Sequence, residues 1–386
     1  MQKNILLFKL YYFFWRFKPF ATLMIVYFSQ IMQSYATATA IFAIFNISYA
    51  VMKIPGGLIS DKIGRKYVIV TSNLIMTTAF CLLALSGQFE IRWLLYLFAL
   101  LWGCGEALSD GTIDALVYET SQSLNRSDKF YLIYSKSMCF SQLGCAFGAL
   151  WAMVITYFLP LQFLAWFSIF PPFMQLIVSC FFEEPDTKRT ISFSLTDIKS
   201  ALKQFKNNKK LIFYTLTNIY FSTLGDISHR IESAYFKLFT SDWVISMVRV
   251  FKHLWGMIGF TFVSRLRFFS DMQNYFGSII GNIFVRTTAL IFNNFYTPFI
   301  HMFINFFYAT ALTTITDVMQ HEYLPKYRAT TQAVINFVKG LYMAGLMLLL
   351  GIFADIYGIY WTMILLVILR LLGLFLAYRL HNHLKI

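Results

Sequence analysis

The chain contains few charged residues. Asp, Glu, Lys and Arg together make up 13% of its 386 residues, whereas soluble domains carry about 25%. Hydrophobic residues account for 58%, and the mean hydropathy is +0.61. A chain of this length and composition has more apolar surface than one soluble core can bury. The composition therefore predicts an integral, multi-pass membrane protein.

Patterns that support catalysis or metal binding are also missing. The five cysteines form no CxxC pair and no metal-ligand spacing, so we expect small buried hydrophobic residues and no metal site. No nucleophile motif, phosphate-binding loop or His/Asp/Glu metal pattern is present. The sequence therefore argues against an enzyme, and no cofactor is predicted. The N-terminal apolar stretch lacks a small-residue cleavage site, so we expect no removable signal peptide.

Twelve stretches of the sequence are long and apolar enough to cross a bilayer, which needs about 20 residues. The longest polar interruption, 183–210, separates the sixth stretch from the seventh. The sequence thus predicts an all-α membrane protein with twelve transmembrane helices in two six-helix halves, 1–182 and 211–386, joined by a cytoplasmic linker. The predicted spans are 18–34, 37–58, 67–87, 92–117, 130–157, 161–182, 211–237, 242–264, 272–292, 296–320, 329–353 and 357–379.

Basic residues are concentrated in the termini and in the connections from even-numbered to odd-numbered spans. The odd-to-even connections carry only Arg92 and Lys237. Because basic loops remain in the cytoplasm, both termini are predicted to be cytoplasmic. The same bias accounts for the net charge of +14 without a nucleic-acid partner, which would require a soluble basic face.

Two segments are amphipathic enough to lie on the membrane surface. Residues 1–17 mix basic residues with many aromatic ones, which suits an interfacial anchor. In the linker, four apolar residues fall on one helical face, and Ser194 with Asp197 has the pattern of a helix cap. The alternative for both segments is a solvated basic loop. The linker's apolar residues are Leu195, Ile198, Leu202 and Phe205.

A short polar hairpin between the second and third spans reads Gly-x-x-x-Asp-x-x-Gly-Arg-Lys. Its two glycines permit a tight turn and close backbone approach. The aspartate is expected to accept hydrogen bonds at a helix N-terminus, and the basic pair to bind a carboxylate on a neighbouring helix. A plain turn with cytoplasmic charges is the alternative. The motif residues are Gly57, Asp61, Gly64, Arg65 and Lys66.

This hairpin resembles the loop between helices two and three in the major facilitator superfamily of secondary transporters. Further resemblance lies in residues 107–119, which end in Tyr118-Glu119, and in Leu324-Pro325 before span eleven. The resemblance implies two six-helix halves, a bacterial inner membrane, and a hairpin that latches the halves on the cytoplasmic side. Drug/proton antiporters of this kind carry an arginine where this chain has Ala99. They also have a Gly-Pro element where Gly144 and Gly148 suggest a helix-packing face.

Span four carries three acidic residues at i, i+4 and i+8. Glu106, Asp110 and Asp114 therefore share one helical face. Carboxylates that crowd one another in a medium of low polarity can exchange protons near neutral pH. Glu106 and Asp110 are predicted to line the substrate site or couple protons, and Asp114 to act in gating. The alternative for Asp114 is a structural pair with Lys53 or Lys136.

The second half of the chain carries mostly basic residues within its predicted spans. A charge at mid-membrane costs about 2.5–3.5 kcal/mol on insertion scales, so such residues must pair or line a watery cavity. Charges near span ends can instead extend to the surface, which we expect for Lys53, Lys136 and Arg370. The predicted site residues of this half are Asp226, Arg230, Arg249, His253, Arg286 and Lys339.

Together, these features predict a transporter that works by alternating access. An acidic first half and a basic second half favour a zwitterion or organic anion over a cationic drug. Glu106 or Asp226 would carry the coupling proton, and Arg249, Arg286 or Lys339 would hold the anionic group of a small-molecule substrate near the bilayer midplane. We expect a monomer in the lipid bilayer. The alternatives are export of amphipathic drugs and a membrane receptor or assembly factor that transports nothing.

Overall fold

A computed structural model of the chain describes residues 2–124, 130–185, 203–206, 208–262, 270–324 and 328–384. Every regular element in these ranges is helical. The chain divides into two compact units, Met1–Phe193 (unit 1) and Ser194–Ile386 (unit 2). This division falls inside the predicted linker 183–210. The predicted linker helix lies mainly outside the described residues, apart from the helical stretch 203–206.

Unit 1 begins with a broken helix. A single 3-10 turn, Pro19–Thr22, separates its first two helices. Its helices are α1 (Gln2–Arg16), α2 (Met24–Met32), α3 (Tyr35–Ile63), α4 (Arg65–Gln88), α5 (Trp93–Ser109), α6 (Thr112–Ser123), α7 (Phe130–Phe158), α8 (Leu161–Phe167) and α9 (Phe170–Cys180).

Glycines allow the helices of unit 1 to pack closely. Helix α5 packs against α3 and α4, and a Cβ at Gly103 would lie 2.5 Å from the carbonyl oxygen of Phe45. Helix α7 packs against α1. A Cβ at Gly144 would overlap the carbonyl oxygen of Phe13, and one at Gly148 would lie 3.0 Å from the backbone nitrogen of Lys18. The predicted packing face of Gly144 and Gly148 is therefore confirmed.

Helix α1 lies inside unit 1, and the prediction of a surface anchor for residues 1–17 is wrong. Phe8, Tyr11 and Tyr12 are fully buried where α1 meets α7 and α9. The buried amide of Asn4 exchanges hydrogen bonds with the backbone of Glu183, at 2.8 and 2.9 Å. Apolar packing together with satisfied polar groups explains why the segment is buried despite its basic residues.

The described part of unit 2 contains six helices of 19 residues or more and one short helix, Thr297–His301. Helix α14 packs against α11 and α12, and α10 packs against α16. A Cβ at Gly259 of α11 would lie 2.6 Å from the carbonyl oxygen of Phe306, so α11 and α14 are in near backbone contact. The helices are α10 (Lys209–Phe236), α11 (Asp242–Phe262), α12 (Asp271–Phe292), α13 (Thr297–His301), α14 (Ile304–Glu322), α15 (Arg328–Tyr357) and α16 (Ile359–Leu384).

Eight segments in the described part of the chain are long and apolar enough to cross a membrane. They correspond to predicted spans 2, 3, 5, 6, 9, 10, 11 and 12. The first and fourth predicted spans are interrupted helices, and the seventh and eighth coincide with α10 and α11, which carry interior charges. Breaks and charges reduce the uninterrupted apolar length of these four segments, so the count of twelve remains a prediction.

Candidate functional site

The hairpin motif forms a one-residue turn between α3 and α4. Gly64 ends α3 and precedes α4 with φ of +120°, a conformation that side chains other than glycine rarely adopt. The predicted tight turn at Gly64 is confirmed. At Gly57, an added Cβ would meet no heavy atom of the described residues within 4 Å. The close backbone approach predicted at Gly57 is therefore wrong.

Arg65 is the centre of the charge cluster at this hairpin. It forms ion pairs with Asp61 at 2.8 Å and with Glu119 of α6 at 3.1 Å, and it donates a 2.6 Å hydrogen bond to Ser60. The predicted pairing of the basic motif with a carboxylate on a neighbouring helix is confirmed for Arg65. These contacts connect α3, α4 and α6 within unit 1.

The carboxylate at the N-terminus of α4 comes from Glu184, and the prediction that Asp61 would supply it is wrong. The backbone nitrogens of Arg65 and Lys66 donate to the two oxygens of Glu184 at 2.8 and 2.7 Å. A negative charge is favoured there because the first amides of a helix lack partners within the helix. Asp61 precedes the turn and pairs with Arg65 instead. Glu184 is more than 110 residues away in sequence, and no local pattern indicated its position.

The helix that carries the three acidic residues is interrupted. Helix α5 ends at Ser109, and α6 begins at Thr112 after Gly111, whose φ is +84°. Asp110 lies at this break. The assumption of one continuous helical face across Glu106, Asp110 and Asp114 is therefore wrong, because two residues between α5 and α6 are not helical.

Glu106 is held by three side chains. Lys18 donates to both carboxylate oxygens at 2.9 Å, and the indole nitrogens of Trp15 and Trp102 each donate at 3.2 Å. The carboxylate is largely buried, with 15% of the side chain exposed. Lys18 lies beside the 3-10 turn that interrupts the first predicted span. The distribution of basic residues assigned Lys18 to the cytoplasmic terminus, so sequence reasoning missed this partner.

Asp110 and Asp114 bind different donors. Asp110 pairs with Lys53 and accepts a hydrogen bond from Tyr49. Asp114 accepts a hydrogen bond from the buried hydroxyl of Tyr12. The alternative pairing of Asp114 with Lys53 is wrong, as is the expectation that Lys53 extends to the membrane surface. Each of the three carboxylates has its own donor.

Unit 2 contains a partly exposed lysine–carboxylate pair that resembles the Glu106–Lys18 pair. Lys339 of α15 lies 2.7 Å from Asp226 of α10. About a third of the aspartate side chain is exposed, 35%, and 27% of the lysine side chain. The structure thus brings two predicted site residues together. Two others, Arg230 on α10 and His253 on α11, are half-buried.

Glu232 is the centre of a second charge cluster, which lies in unit 2. Its side chain is more deeply buried than those of the Asp226–Lys339 pair. Lys252 contacts it at 2.5 Å and Arg249 at 3.3 Å. The rings of His229 and His301 each approach it to 3.4 Å. The Glu232 side chain is 1% exposed, whereas the ring of His229 is 45% exposed. The sequence placed Glu232 and Lys252 within spans seven and eight, but did not identify them as site residues.

Two further guanidinium groups are buried in unit 2. Arg286 donates to the side-chain oxygen of Asn282 at 2.8 Å and lies 3.4 Å from His301. Arg370 donates to the carbonyl of Leu224 at 2.6 Å and to Ser228 at 3.0 Å. Within the described ranges, neither arginine forms an ion pair with a carboxylate. The expectation that Arg370 extends to the membrane surface is wrong, because the residue is 3% exposed.

The predicted difference in charge between the two halves is therefore present. In unit 1, the acids Glu106, Asp110 and Asp114 are matched by two lysines, with Tyr12 as the third donor. In unit 2, one buried carboxylate is surrounded by an excess of cations. The buried cations of this group are Arg249, Lys252, Arg286 and Arg370.

Comparison with known proteins identifies the class of protein to which these features belong. The sequence model described as the Major Facilitator Superfamily matches residues 6–345. The chain therefore belongs to the Major Facilitator Superfamily and is an integral, multi-pass membrane transporter. The family expected from the hairpin motif is confirmed.

Individual relatives are more distant. The chain is 26% identical over 167 residues to Multidrug resistance protein MdtH of Proteus mirabilis (strain HI4320). This match covers 42% of the chain and 38% of the relative, so it spans well under half of either protein.

Solved structures show the same fold at low sequence identity. The nucleoside transporter NupG superposes with a TM-score of 0.77 at 15% identity, covering 99% of this chain and 98% of that one. An auto-inhibited POT family peptide transporter gives 0.77 at 11% identity, covering 99% and 97%. A D-xylose-proton symporter gives 0.71 at 12% identity, covering 98% and 96%. At such identities the likeness concerns the fold alone.

Proposed function

We propose that this chain is a proton-coupled secondary transporter of a small anionic or zwitterionic solute. The observation that carries the proposal is the excess of buried cations in unit 2. Three cationic side chains, Arg249, Lys252 and Arg286, interact with one carboxylate there, and a buried charge without a counter-charge is costly. A solute with a negative group would offset part of that cost when it binds. Arg249, Arg286 and Lys339 are the proposed contacts.

The two lysine–carboxylate pairs support proton coupling. Glu106–Lys18 in unit 1 and Asp226–Lys339 in unit 2 each join segments that are separate in sequence. Protonation of either carboxylate would remove the attraction and release a lysine. A pair that is closed in one protonation state and open in the other can bias a conformational equilibrium. We assign the coupling proton to Glu106 or Asp226, with alternating access as the transport mechanism.

The hairpin cluster supports a gating role on the cytoplasmic side. Arg65, Asp61 and Glu119 form an ion-pair network that depends on the turn at Gly64. We propose that this network, with Gly57, Lys66 and Asp114, stabilises one of the two access states. We further propose that the chain spans a bacterial inner membrane twelve times, with both termini in the cytoplasm, and that it works as a monomer.

The test is transport by purified protein in liposomes with an imposed pH gradient. Candidate solutes come from a thermal-shift screen of metabolites across pH. Glu106→Gln is expected to abolish gradient-driven accumulation while retaining solute exchange, because exchange needs no net proton transfer. Asp226→Asn tests the alternative proton site. Glu90→Gln is the control, since this carboxylate is exposed outside the predicted spans. Undiminished gradient-driven accumulation in both Glu106→Gln and Asp226→Asn would contradict the coupling assignment.

A second candidate function is export of amphipathic compounds. It is favoured by the partial match to a protein named for multidrug resistance. Expression in a drug-sensitive host should then raise resistance and lower the accumulation of a fluorescent dye. No change in either measurement, together with solute uptake in liposomes, would exclude this candidate.

A further inference from the structure

Unit 2 contains a cavity that the transport proposal does not use. It lies among α10, α12, α14 and α16 and has about 530 Å³ of empty space, part of which is open to the surroundings. Phe221, Ile279 and Phe307 contribute to its apolar walls. Arg370 is the one charged residue among the described residues that line it. The polar lining comprises Asn218, Ser222, Tyr275, Ser278, Asn282 and Arg370.

In the described part of the chain, no carboxylate forms an ion pair with Arg370, and Glu232 attracts it only at longer range. Arg370 is 3% exposed, and the Leu224 carbonyl and the Ser228 hydroxyl that it contacts are neutral. Arg286 adds a second guanidinium, which donates to Asn282 in the cavity wall and interacts electrostatically with Arg370. Arginine keeps its charge in proteins. Among the described residues of unit 2, the three buried arginines, Arg249, Arg286 and Arg370, outnumber the one buried carboxylate, Glu232.

One hydroxyl in the cavity wall also lacks a partner. The side-chain oxygen of Ser222 is buried, and no group in the described part of the chain hydrogen-bonds to it. Buried polar groups are normally satisfied by protein or by a bound molecule. An unpartnered donor and a buried guanidinium in the same small cavity together indicate a ligand with a negative charge.

We propose that this cavity is a binding site for a small monovalent anion, either a halide or a short carboxylate. Arg370 would supply the charge, and Ser222 with Asn218 would supply neutral donors. The anion would offset the charge of Arg370 and thereby stabilise the helix packing around α16. The site does not depend on transport, so a chain that failed every transport assay would still bind the anion.

The test is anion-dependent thermal stability of the full purified chain in detergent. Sodium gluconate at constant ionic strength is the baseline, because gluconate is bulkier than the proposed ligands. Replacement by chloride, bromide or acetate is expected to raise Tm saturably, by about 2–4 °C. A halide-selective rise identifies an inorganic anion, whereas a rise with acetate and other short carboxylates identifies a carboxylate. Equal Tm values in all these salts would overturn the proposal.

Matched variants locate the site. Arg370→Gln is expected to remove the anion dependence. Arg379→Gln on the same helix keeps it, because Arg379 is exposed and stacks on Phe375. Ser222→Ala retains every charge and is expected to raise the half-saturating anion concentration several-fold, which keeps the test valid if Arg370→Gln does not fold. The proposal is wrong if Ser222→Ala leaves the half-saturating anion concentration unchanged and Arg370→Gln keeps the anion dependence of Tm. The anion would then bind at another site.

Discussion

The lysine–carboxylate pairs of unit 1 and the Glu232 cluster of unit 2 use charged side chains in opposite ways. In unit 1, Glu106 and Asp110 each bind one lysine, and all four side chains remain partly exposed, between 15% and 30%. In unit 2, Glu232, Arg249 and Lys252 form a cluster whose side chains are at most 6% exposed. Pairs in contact with water can separate and re-form at low cost, whereas a buried cluster must remain intact. The Glu106 and Asp110 pairs of unit 1, like the Asp226–Lys339 pair of unit 2, are therefore suited to changing partners, and the Glu232 cluster to maintaining a fixed electrostatic environment.

The largest loss of stability is expected for Glu232→Gln in unit 2. Removal of one partner from a buried ion pair costs about 3–5 kcal/mol, because the remaining charges stay buried without compensation. We expect a correspondingly large drop in thermal stability in detergent. Glu232→Gln combined with Lys252→Met should recover part of the loss, since it also removes one uncompensated cation. A loss below about 1 kcal/mol for the single variant would contradict the distinction between the units.

A second test concerns the rigid part of unit 1, where α1 packs on α7. Gly144→Ala should destabilise the protein by about 1–3 kcal/mol, because the new methyl group overlaps the backbone of Phe13. Gly345→Ala in α15 is the control, since its Cβ meets no atom of the described residues within 4 Å. We expect Gly345→Ala to leave Tm unchanged or slightly raised. Equal changes in Tm for Gly144→Ala and Gly345→Ala would show that α1 is not packed against α7 as described.

The Asp110–Lys53 pair should be weaker than the Glu232 cluster. A double-mutant cycle with Asp110→Asn and Lys53→Met is expected to give a coupling energy of about 1 kcal/mol or less, because both side chains are partly exposed. The measurement is chemical or thermal unfolding of the four proteins in the same detergent. If the coupling energy of Asp110 with Lys53 were close to that of Glu232 with Lys252, the Asp110–Lys53 pair would be held as firmly as the buried cluster. The contrast drawn above would then be wrong.

The smallest effect is expected at the ends of α10 and α14, outside the predicted spans. Asn208 and Lys210 donate to Glu322 at 2.9 Å, and these hydrogen bonds lower the pKa of Glu322. The stabilisation is therefore present above the ordinary glutamate pKa of about 4.3, and it disappears as the pH falls through the lowered pKa.

Glu322→Gln should consequently reduce stability by less than about 1 kcal/mol at pH 7. The difference from the unmodified chain should vanish in acid. The hydrogen bond to Glu322 raises the pKa of Lys210, so the pair also weakens as the pH rises through that raised value. A difference between the two proteins that persists at pH 3 would contradict this assignment.

The sequence predicted local features such as turns and packing faces. It did not predict which distant side chains contact each other. The turn at Gly64 and the packing face of Gly144 and Gly148 follow from residue type, because glycine alone suits such positions. By contrast, Glu184 at the start of α4 and Lys18 beside Glu106 come from distant parts of the chain. The surface anchor predicted for 1–17 was wrong because its aromatic residues pack against α7 and α9. No pattern within residues 1–17 indicates that this segment packs against α7 and α9.

The amino-acid sequence alone determined that the chain is a helical membrane protein of the facilitator type, because apolar length and glycine turn chemistry are local properties of the chain. It also determined that the second half is the more basic one. Only the tertiary structure decided which charges meet. Helix crossings, the break at Gly111 and the burial of α1 bring Glu106 to Lys18 and Glu232 to Lys252, and such contacts depend on packing between helices that are distant in sequence.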